Sequence, residues 1–139
     1  MNTPCISIIL GSKSDEKFIQ KCVEYLETEN ISYELKILSA HRNTTELVEY
    51  VKSLNPSKTK VIITAAGYAA ALPGIVAALT DIPVIGVPLP TSVLSGVDSL
   101  LSIVQMPKGN PVATMGIGES GAYNAAVFAK KILKTAGVI

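Results

Sequence analysis

Two hydrophobic patterns alternate along this chain and predict an alternating order of strands and helices. Short, nearly continuous apolar runs predict strands, because a strand that is covered on both faces carries apolar side chains at almost every position. These runs lie at residues 5–10, 32–38, 59–65 and 83–87, and a short fifth strand is expected within residues 111–116.

Between these runs, apolar residues recur at the spacing of a helix with one buried face. Over residues 15–29, for example, Phe18, Cys22 and Leu26 follow one another every four positions. The other predicted helices cover Leu47 to Leu54, with Asn43 or Thr44 available as the N-cap, and residues 72–79, about 94–104 and 119–133.

This alternation predicts an α/β fold in which a central parallel sheet carries helices on both faces. The layering expected is three-layer α/β/α, either flavodoxin-like or Rossmann-like. At 139 residues the chain is expected to form a single domain, 1–139, with one substantial core.

Composition and charge narrow the kinds of partner. A net charge of +1 provides no basic field, and 5% aromatic residues without Trp argue against base stacking, so no nucleic-acid partner is expected. The apolar region from residue 65 to 93 is interrupted by Gly, Pro and Asp, which rules out one continuous membrane helix there. With no signal peptide indicated, we expect a cytoplasmic protein without a membrane partner.

The low charge also bears on assembly. Only 17% of the residues are charged while 48% are hydrophobic, which leaves little polar surface to cover a small monomer. We therefore expect a homo-oligomer that buries apolar helix faces between subunits. Cys5 and Cys22 lie in a strand pattern and a helix pattern, and they are expected to be buried, reduced thiols.

A polar loop follows the first predicted strand, at the edge of a parallel sheet where ligands bind. Its residues are Gly11, Ser12, Lys13, Ser14 and Asp15. Ser12 and Ser14 can direct hydroxyls and backbone amides at an anion, and Asp15 can cap the helix or accept hydrogen bonds from ribose hydroxyls. Ordinary turn and N-cap chemistry accounts for this loop equally well.

The loop after the second strand adds reactive chemistry, with Ser39, Ala40, His41 and Arg42 in sequence. Arg42 suits a phosphate by its bidentate geometry, and Ser39 adds a hydroxyl. His41, the single histidine of the chain, exchanges a proton near neutral pH. Since it stands between polar neighbours rather than in an apolar stripe, we favour a site role over a structural one.

The loop after the third strand carries small side chains. Gly67, Ala69, Ala70 and Leu72 are expected to contact a ligand, because small residues let it approach backbone N–H groups that bind carboxylate or carbonyl oxygens. Tight helix-sheet packing is the alternative explanation. Residues 92–98 follow the fourth strand and are expected to close over the site. Dispersed carboxylates and one histidine give no metal-ligand cluster.

Five ordered motifs carry a resemblance that covers nearly the whole chain. They are Gly-Ser-x-Ser-Asp at 11–15, Ser-Ala-His-Arg at 39–42, Ala-Gly-x-Ala-Ala-x-Leu-Pro-Gly at 66–74, Leu-Ser-Gly-Val-Asp-Ser at 94–99 and Ile-Val-Gln-Met-Pro-Lys-Gly at 103–109. Together they resemble the 5-(carboxyamino)imidazole ribonucleotide mutases of purine biosynthesis. The resemblance implies a three-layer fold, usually assembled as an octamer, with no metal or organic cofactor.

The resemblance also implies roles for the loop residues. A small-molecule ribonucleotide substrate would be bound by Ser12, Asp15 and Arg42, with Asp15 on the ribose, Arg42 on the phosphate, and Ser14 and Ser39 helping at the phosphate. His41 would be the general acid/base of the family reaction. That reaction moves a carboxylate from an exocyclic nitrogen to carbon C4 of the same imidazole.

The chain departs from the mutase pattern at three places. Ala71 stands where the pattern usually has His, Glu16 where it has Trp, and Asn43-Thr44 where it has Thr-Pro. One alternative is a CO2-using aminoimidazole ribonucleotide carboxylase, although a Gly-Arg-Ser-Asn type sequence is expected in its third loop. Another is a non-catalytic nucleotide- or flavin-binding module, which the loss of His at position 71 favours and the retained His41 disfavours.

Overall fold

The computed structural model describes residues 3–139 and contains one parallel sheet of five strands. The strands are β1 (Ile6–Leu10), β2 (Tyr33–Ile37), β3 (Val61–Ala66), β4 (Val84–Pro88) and β5 (Ala113–Thr114). They lie in the order β2-β1-β3-β4-β5, and every pairing is parallel.

Helices cover both faces of this sheet. A short 3₁₀ turn (Lys13–Asp15) leads into the first of them, and the α-helices are α1 (Glu16–Thr28), α2 (Thr44–Ser53), α3 (Ala71–Ala78), α4 (Val97–Val104) and α5 (Gly118–Thr135). Buried residues of α1 and α5 pack on one face of the sheet, and those of α2, α3 and α4 pack on the other. The predicted three-layer α/β/α, flavodoxin-like fold is confirmed.

The central strands alternate their side chains between the two layers. On β1, Ile8 and Leu10 join the cluster beneath α1 and α5, whereas Ile9 joins the cluster beneath α2 and α3. All three side chains are fully buried. This explains why the apolar run in the sequence is continuous, since both faces of the strand are covered.

The predicted elements are all present, but three details differ. The helix expected at about 94–104 begins only at Val97. Ser95 (φ +55°) and Gly96 (φ +92°) adopt left-handed conformations, which do not fit a right-handed α-helix, so the helix starts after them. The fifth strand is two residues long. Asn43 occupies the N-cap position of α2, yet its side chain does not cap that helix.

Both cysteines lie in the core beneath α1 and α5. Cys5 and Cys22 are free thiols and both are buried, as expected. Burial raises the pKa of the Cys22 thiol to about 12, so that side chain stays protonated and unreactive at neutral pH.

Across residues 3–139, no helix combines the length and the apolar character needed to cross a bilayer.

Candidate active site

A cavity of about 790 Å³ opens at the carboxyl edge of the sheet, where the loops that follow β1, β2, β3 and β4 meet. The neighbouring strands β1 and β3 form the point where the strand order reverses direction. Open parallel sheets bind ligands at such a point, because the loops on its two sides diverge and leave a crevice.

Every site residue predicted from the sequence lines this cavity. They are Ser12, Ser14, Asp15, Ser39, His41, Arg42, Gly67, Ala69, Ala70 and Leu72. The fold therefore brings together residues that are as much as 60 positions apart in the chain, from three different loops.

The expected contribution of residues 92–98 is wrong for this structure. The loop after β4 reaches the cavity through Pro90 and Thr91, and no residue from 92 to 98 lines it. The chain turns at Ser95 and Gly96, where φ is positive, and continues into α4, which does not line the cavity.

The first loop is ordered by its own hydroxyl groups. Ser12 is the N-cap of the 3₁₀ turn, and its Oγ accepts a hydrogen bond from the Ser14 backbone N–H over 3.4 Å. The two hydroxyl oxygens lie 3.0 Å apart. Ser12 therefore both caps the turn and lines the cavity. The cap holds the hydroxyls of Ser12 and Ser14 side by side at the cavity wall.

Asp15 shows which of its two predicted uses is available. It stands at the N-cap position of α1 but makes no capping hydrogen bond with its side chain. The residue is only 6% exposed, and it lines the cavity. Burial raises the pKa of its carboxyl group, and the backbone of Ser12 and the charge of Lys17 partly offset this effect. A buried carboxyl group that does not cap its helix is suited to accept hydrogen bonds from ligand hydroxyls.

Ser39 organises the second loop from within. Its buried Oγ accepts hydrogen bonds from the backbone N–H groups of His41 (3.3 Å) and Arg42 (3.1 Å). Asn43 uses its side-chain oxygen to accept from the Ser39 N–H over 3.2 Å, which explains why it does not cap α2. The loop backbone is thus fixed before any ligand arrives.

The side chains of His41 and Arg42 are left free by this arrangement. Both residues are exposed at the cavity. Within residues 3–139, neither side chain forms a hydrogen bond or an ion pair. A guanidinium and an imidazole on a rigid loop can both turn to a bound anion without breaking an existing contact.

The third loop lies directly against the loop that follows β4. A Cβ atom at Gly67 would come within 1.8 Å of Thr91 Oγ1, so only glycine permits this approach. The Leu89 N–H donates to the Ala66 carbonyl over 3.0 Å and ties the same two segments together. Ala70 and Leu72 line the cavity and are also buried in the core, so for these two residues the predicted packing role is realised.

Four lining residues with larger side chains escaped the sequence analysis: Lys17, Phe18, Tyr68 and Thr91. Lys17 and Phe18 stand within one helical turn of Asp15, and that spacing was a usable signal. Tyr68 is the single large side chain in an otherwise small-residue loop. Thr91 carried no signal, because its place depends on the pairing of β4 with β3.

Fold and cavity together define a class: a flavodoxin-like α/β protein with a polar ligand site at its switch point. Comparison with known sequences makes the assignment narrower. The chain belongs to the AIR carboxylase family, whose sequence model matches residues 5–137.

Relatives that carry a mutase name are about half identical to this chain. It is 49% identical over 131 residues to the N5-carboxyaminoimidazole ribonucleotide mutase of Haemophilus influenzae, covering 94% of this chain and 80% of the relative. The mutase of Saccharolobus solfataricus is 51% identical over 130 residues, covering 94% and 81%. Among solved structures, the crystal structure of Treponema denticola PurE matches with a TM-score of 0.82 and 30% identity, covering 96% of this chain and 82% of that one.

The buried carboxyl group of Asp15 predicts a pH-dependent cost to stability. Because folding raises its pKa above the ordinary value of 3.8, the folded state holds the proton more tightly than the unfolded state. The contribution of Asp15 to the free energy of unfolding therefore falls as the pH rises from 3.8 through the raised pKa.

We accordingly expect Asp15→Asn to unfold at a higher temperature than the wild type at pH 7. The difference should vanish below about pH 3, where Asp15 is protonated in both states. Thermal unfolding over a pH series measures it, with Asp81→Asn as the control because Asp81 is exposed. Lower stability of Asp15→Asn at pH 7 would contradict this account.

Proposed function

We propose that this chain is an N5-carboxyaminoimidazole ribonucleotide mutase, an isomerase of de novo purine biosynthesis. The observation that carries the proposal is the joining of His41 and Arg42 with the Ser12–Asp15 loop in one cavity of a chain about half identical to enzymes of that name. The reaction converts the N5-carboxyamino ribonucleotide to 4-carboxy-5-aminoimidazole ribonucleotide. A charged ribonucleotide does not cross membranes unaided, so we place the protein with its substrate in the cytoplasm.

Substrate binding follows from the chemistry of the free groups. The Arg42 guanidinium has no partner among the described residues and matches the geometry of a phosphate. Hydroxyls of Ser14 and Ser39 donate to the same group. The Ser39 hydroxyl accepts from two backbone amides but still has its own proton to give. Asp15 accepts hydrogen bonds from the ribose hydroxyls, with Ser12 beside it.

The reaction needs one group that both gives and takes a proton. Cleavage of the bond between the exocyclic nitrogen and the carboxyl carbon releases CO2, and His41 protonates the nitrogen that is left. Carbon C4 of the electron-rich ring then attacks the CO2, and the neutral imidazole of His41 removes the C4 proton. The histidine ends as it began, so no cofactor is consumed.

Retention of CO2 depends on the walls of the cavity. Ala69, Ala70 and Ala71 offer methyl groups, and Leu72 lies behind them in the core. These apolar surfaces neither hydrate the CO2 nor compete for it with hydrogen bonds. The third loop is therefore suited to hold the intermediate against the ring while C4 attacks.

Substrate use tests the proposal against its alternatives. Purified protein should isomerise the N5-carboxyamino ribonucleotide without added bicarbonate. Turnover only of aminoimidazole ribonucleotide with bicarbonate would instead assign a CO2-using carboxylase. Nucleotide binding with neither turnover would assign a non-catalytic module.

We predict that His41→Asn lowers kcat by between about 10²- and 10⁴-fold, the usual contribution of a positioned general acid/base. Nucleotide affinity should stay close to that of the wild type, because the imidazole is not needed for the phosphate or the ribose. Steady-state kinetics and calorimetric titration give the two quantities. Unimpaired turnover in this variant would disprove the role of His41.

We predict that Arg42→Ala weakens nucleotide binding by about 10- to 100-fold, the range for losing hydrogen bonds to a charged group. The corresponding nucleoside, which lacks the phosphate, should bind both proteins equally. Lys13→Ala is the matched control, because Lys13 is an exposed cation of the first loop that does not line the cavity. Equal weakening of nucleotide and nucleoside would refute the phosphate contact.

We also infer a homo-oligomer, and the octamer that the resemblance implies is its expected form. One surface supports assembly, since apolar side chains around α4 are exposed: Val93, Leu94, Val97, Leu101 and Val104. On the same helix, the Oδ1 atom of Asp98 is buried without a hydrogen-bond partner among the described residues. Light scattering gives the number of copies, and a monomer at micromolar concentration would contradict the inference.

A further inference from the structure

The third loop presents one large side chain that the mechanism above leaves unused. Tyr68 lines the cavity and is 64% exposed. Its neighbours on the loop are Gly67 and the alanines at 69, 70 and 71, and Leu72 is buried. Tyr68 is therefore the one side chain of this loop that can give a ligand more than a methyl group or a backbone amide.

Tyr68 also adopts a costly backbone conformation. Its φ is +55°, in the left-handed region that bulky residues rarely occupy. Glycine would adopt this conformation without the steric cost of a side chain. A bulky residue at such an angle inside a cavity points to a function that offsets its cost.

The surroundings of Tyr68 hold it in place. The close contact of Gly67 with Thr91 fixes the residue before it, and the burial of Ala70 fixes the chain two residues after it. Tyr68 therefore lies on a segment whose backbone is held by packing on both sides. Rigid mounting lets a side chain orient a ligand with little loss of conformational entropy.

Strand order determines the side from which Tyr68 meets the ligand. β1 lies between β2 and β3, so the first loop lies between the loop of His41 and the loop of Tyr68. A ligand bound by the first loop consequently has the loop that carries His41 on one side and the loop that carries Tyr68 on the other. The phosphate and ribose partners lie on the first and second loops, which leaves the base for the third.

We propose that Tyr68 packs the face of its ring on the aminoimidazole ring of the bound ribonucleotide and thereby orients C4 toward His41. This role rests on the proposed mutase function. Offset stacking of two aromatic rings supplies attraction beyond the buried area alone, and the substrate ring is flat and electron-rich. Contact through the ring face requires no donor or acceptor from the phenol hydroxyl.

Three substitutions and two ligands test the contact. Calorimetry measures the binding of aminoimidazole ribonucleotide and of ribose 5-phosphate, which lacks the ring. Tyr68→Ala and Tyr68→Gly should each weaken nucleotide binding by about tenfold, as expected for loss of an aromatic pair. Tyr68→Phe should bind the nucleotide within about twofold of the wild type. Ribose 5-phosphate should bind all four proteins alike.

Thermal unfolding separates the ring from the backbone. Tyr68→Gly should be more stable than Tyr68→Ala, because glycine relieves the left-handed conformation and alanine does not. Both should nevertheless lose nucleotide affinity equally. Asn30→Gly is the matched control, since Asn30 has the same φ of +55° and does not line the cavity, and its nucleotide affinity should stay at the wild-type value.

Each contrary outcome has a distinct meaning. Undiminished nucleotide binding by Tyr68→Ala and Tyr68→Gly would overturn the contact while leaving the mutase function intact. Equal loss of ribose 5-phosphate binding would overturn it in favour of general damage to the loop, and a Tyr68→Phe variant as weak as Tyr68→Ala would overturn it in favour of the hydroxyl. If the wild type neither binds nor isomerises the ribonucleotide, the proposed function itself fails.

Discussion

The burial of β1 and β3 on both faces is the constraint on which the site depends. A strand with one covered face can slip along its neighbour by two residues and still bury the same kind of side chain, but a filled core on each side opposes any slip. The register that results sets Leu10 opposite Ala65, and the Gly11 N–H donates to the Ala65 carbonyl over 3.2 Å. The first and third loops therefore leave the sheet from one fixed point, and the distance across the cavity is set by the core beneath it.

Above this edge, the loops are ordered by groups that are not themselves the reactive ones. Ser39 accepts the backbone amides of His41 and Arg42, and Ser12 caps the turn that presents Ser14. Small hydroxyls thus take up the local backbone hydrogen bonds, while the guanidinium and the imidazole stay free for a ligand. Such division is the usual form of preorganisation, in which the cost of ordering is met during folding and not during binding.

Sequence reasoning was most successful where local chemistry decides the outcome. The apolar runs predict the strands, and the polar residues that follow them line one cavity, because parallel strands bring all their carboxyl ends to one edge. It failed where the outcome depends on contacts between distant segments. Thr91 enters the cavity only because β4 pairs with β3, and residues 92–98 leave it because Ser95 and Gly96 turn the chain. No periodicity in the sequence carries either fact.

Two of the residues that line the cavity are unfavourable for folding, and both bear on how the protein is stabilised. Asp15 holds a carboxyl group in a buried place, and Tyr68 holds a bulky side chain in a left-handed conformation. Each is unfavourable for folding, so the continuous core on the two faces of the sheet must offset both. Asn30, which has the same φ at the far end of α1, carries a smaller cost because asparagine tolerates this region. A chain selected for stability alone would place asparagine or glycine at position 68 too. That it carries tyrosine there is best explained by what the ring does when the cavity is occupied.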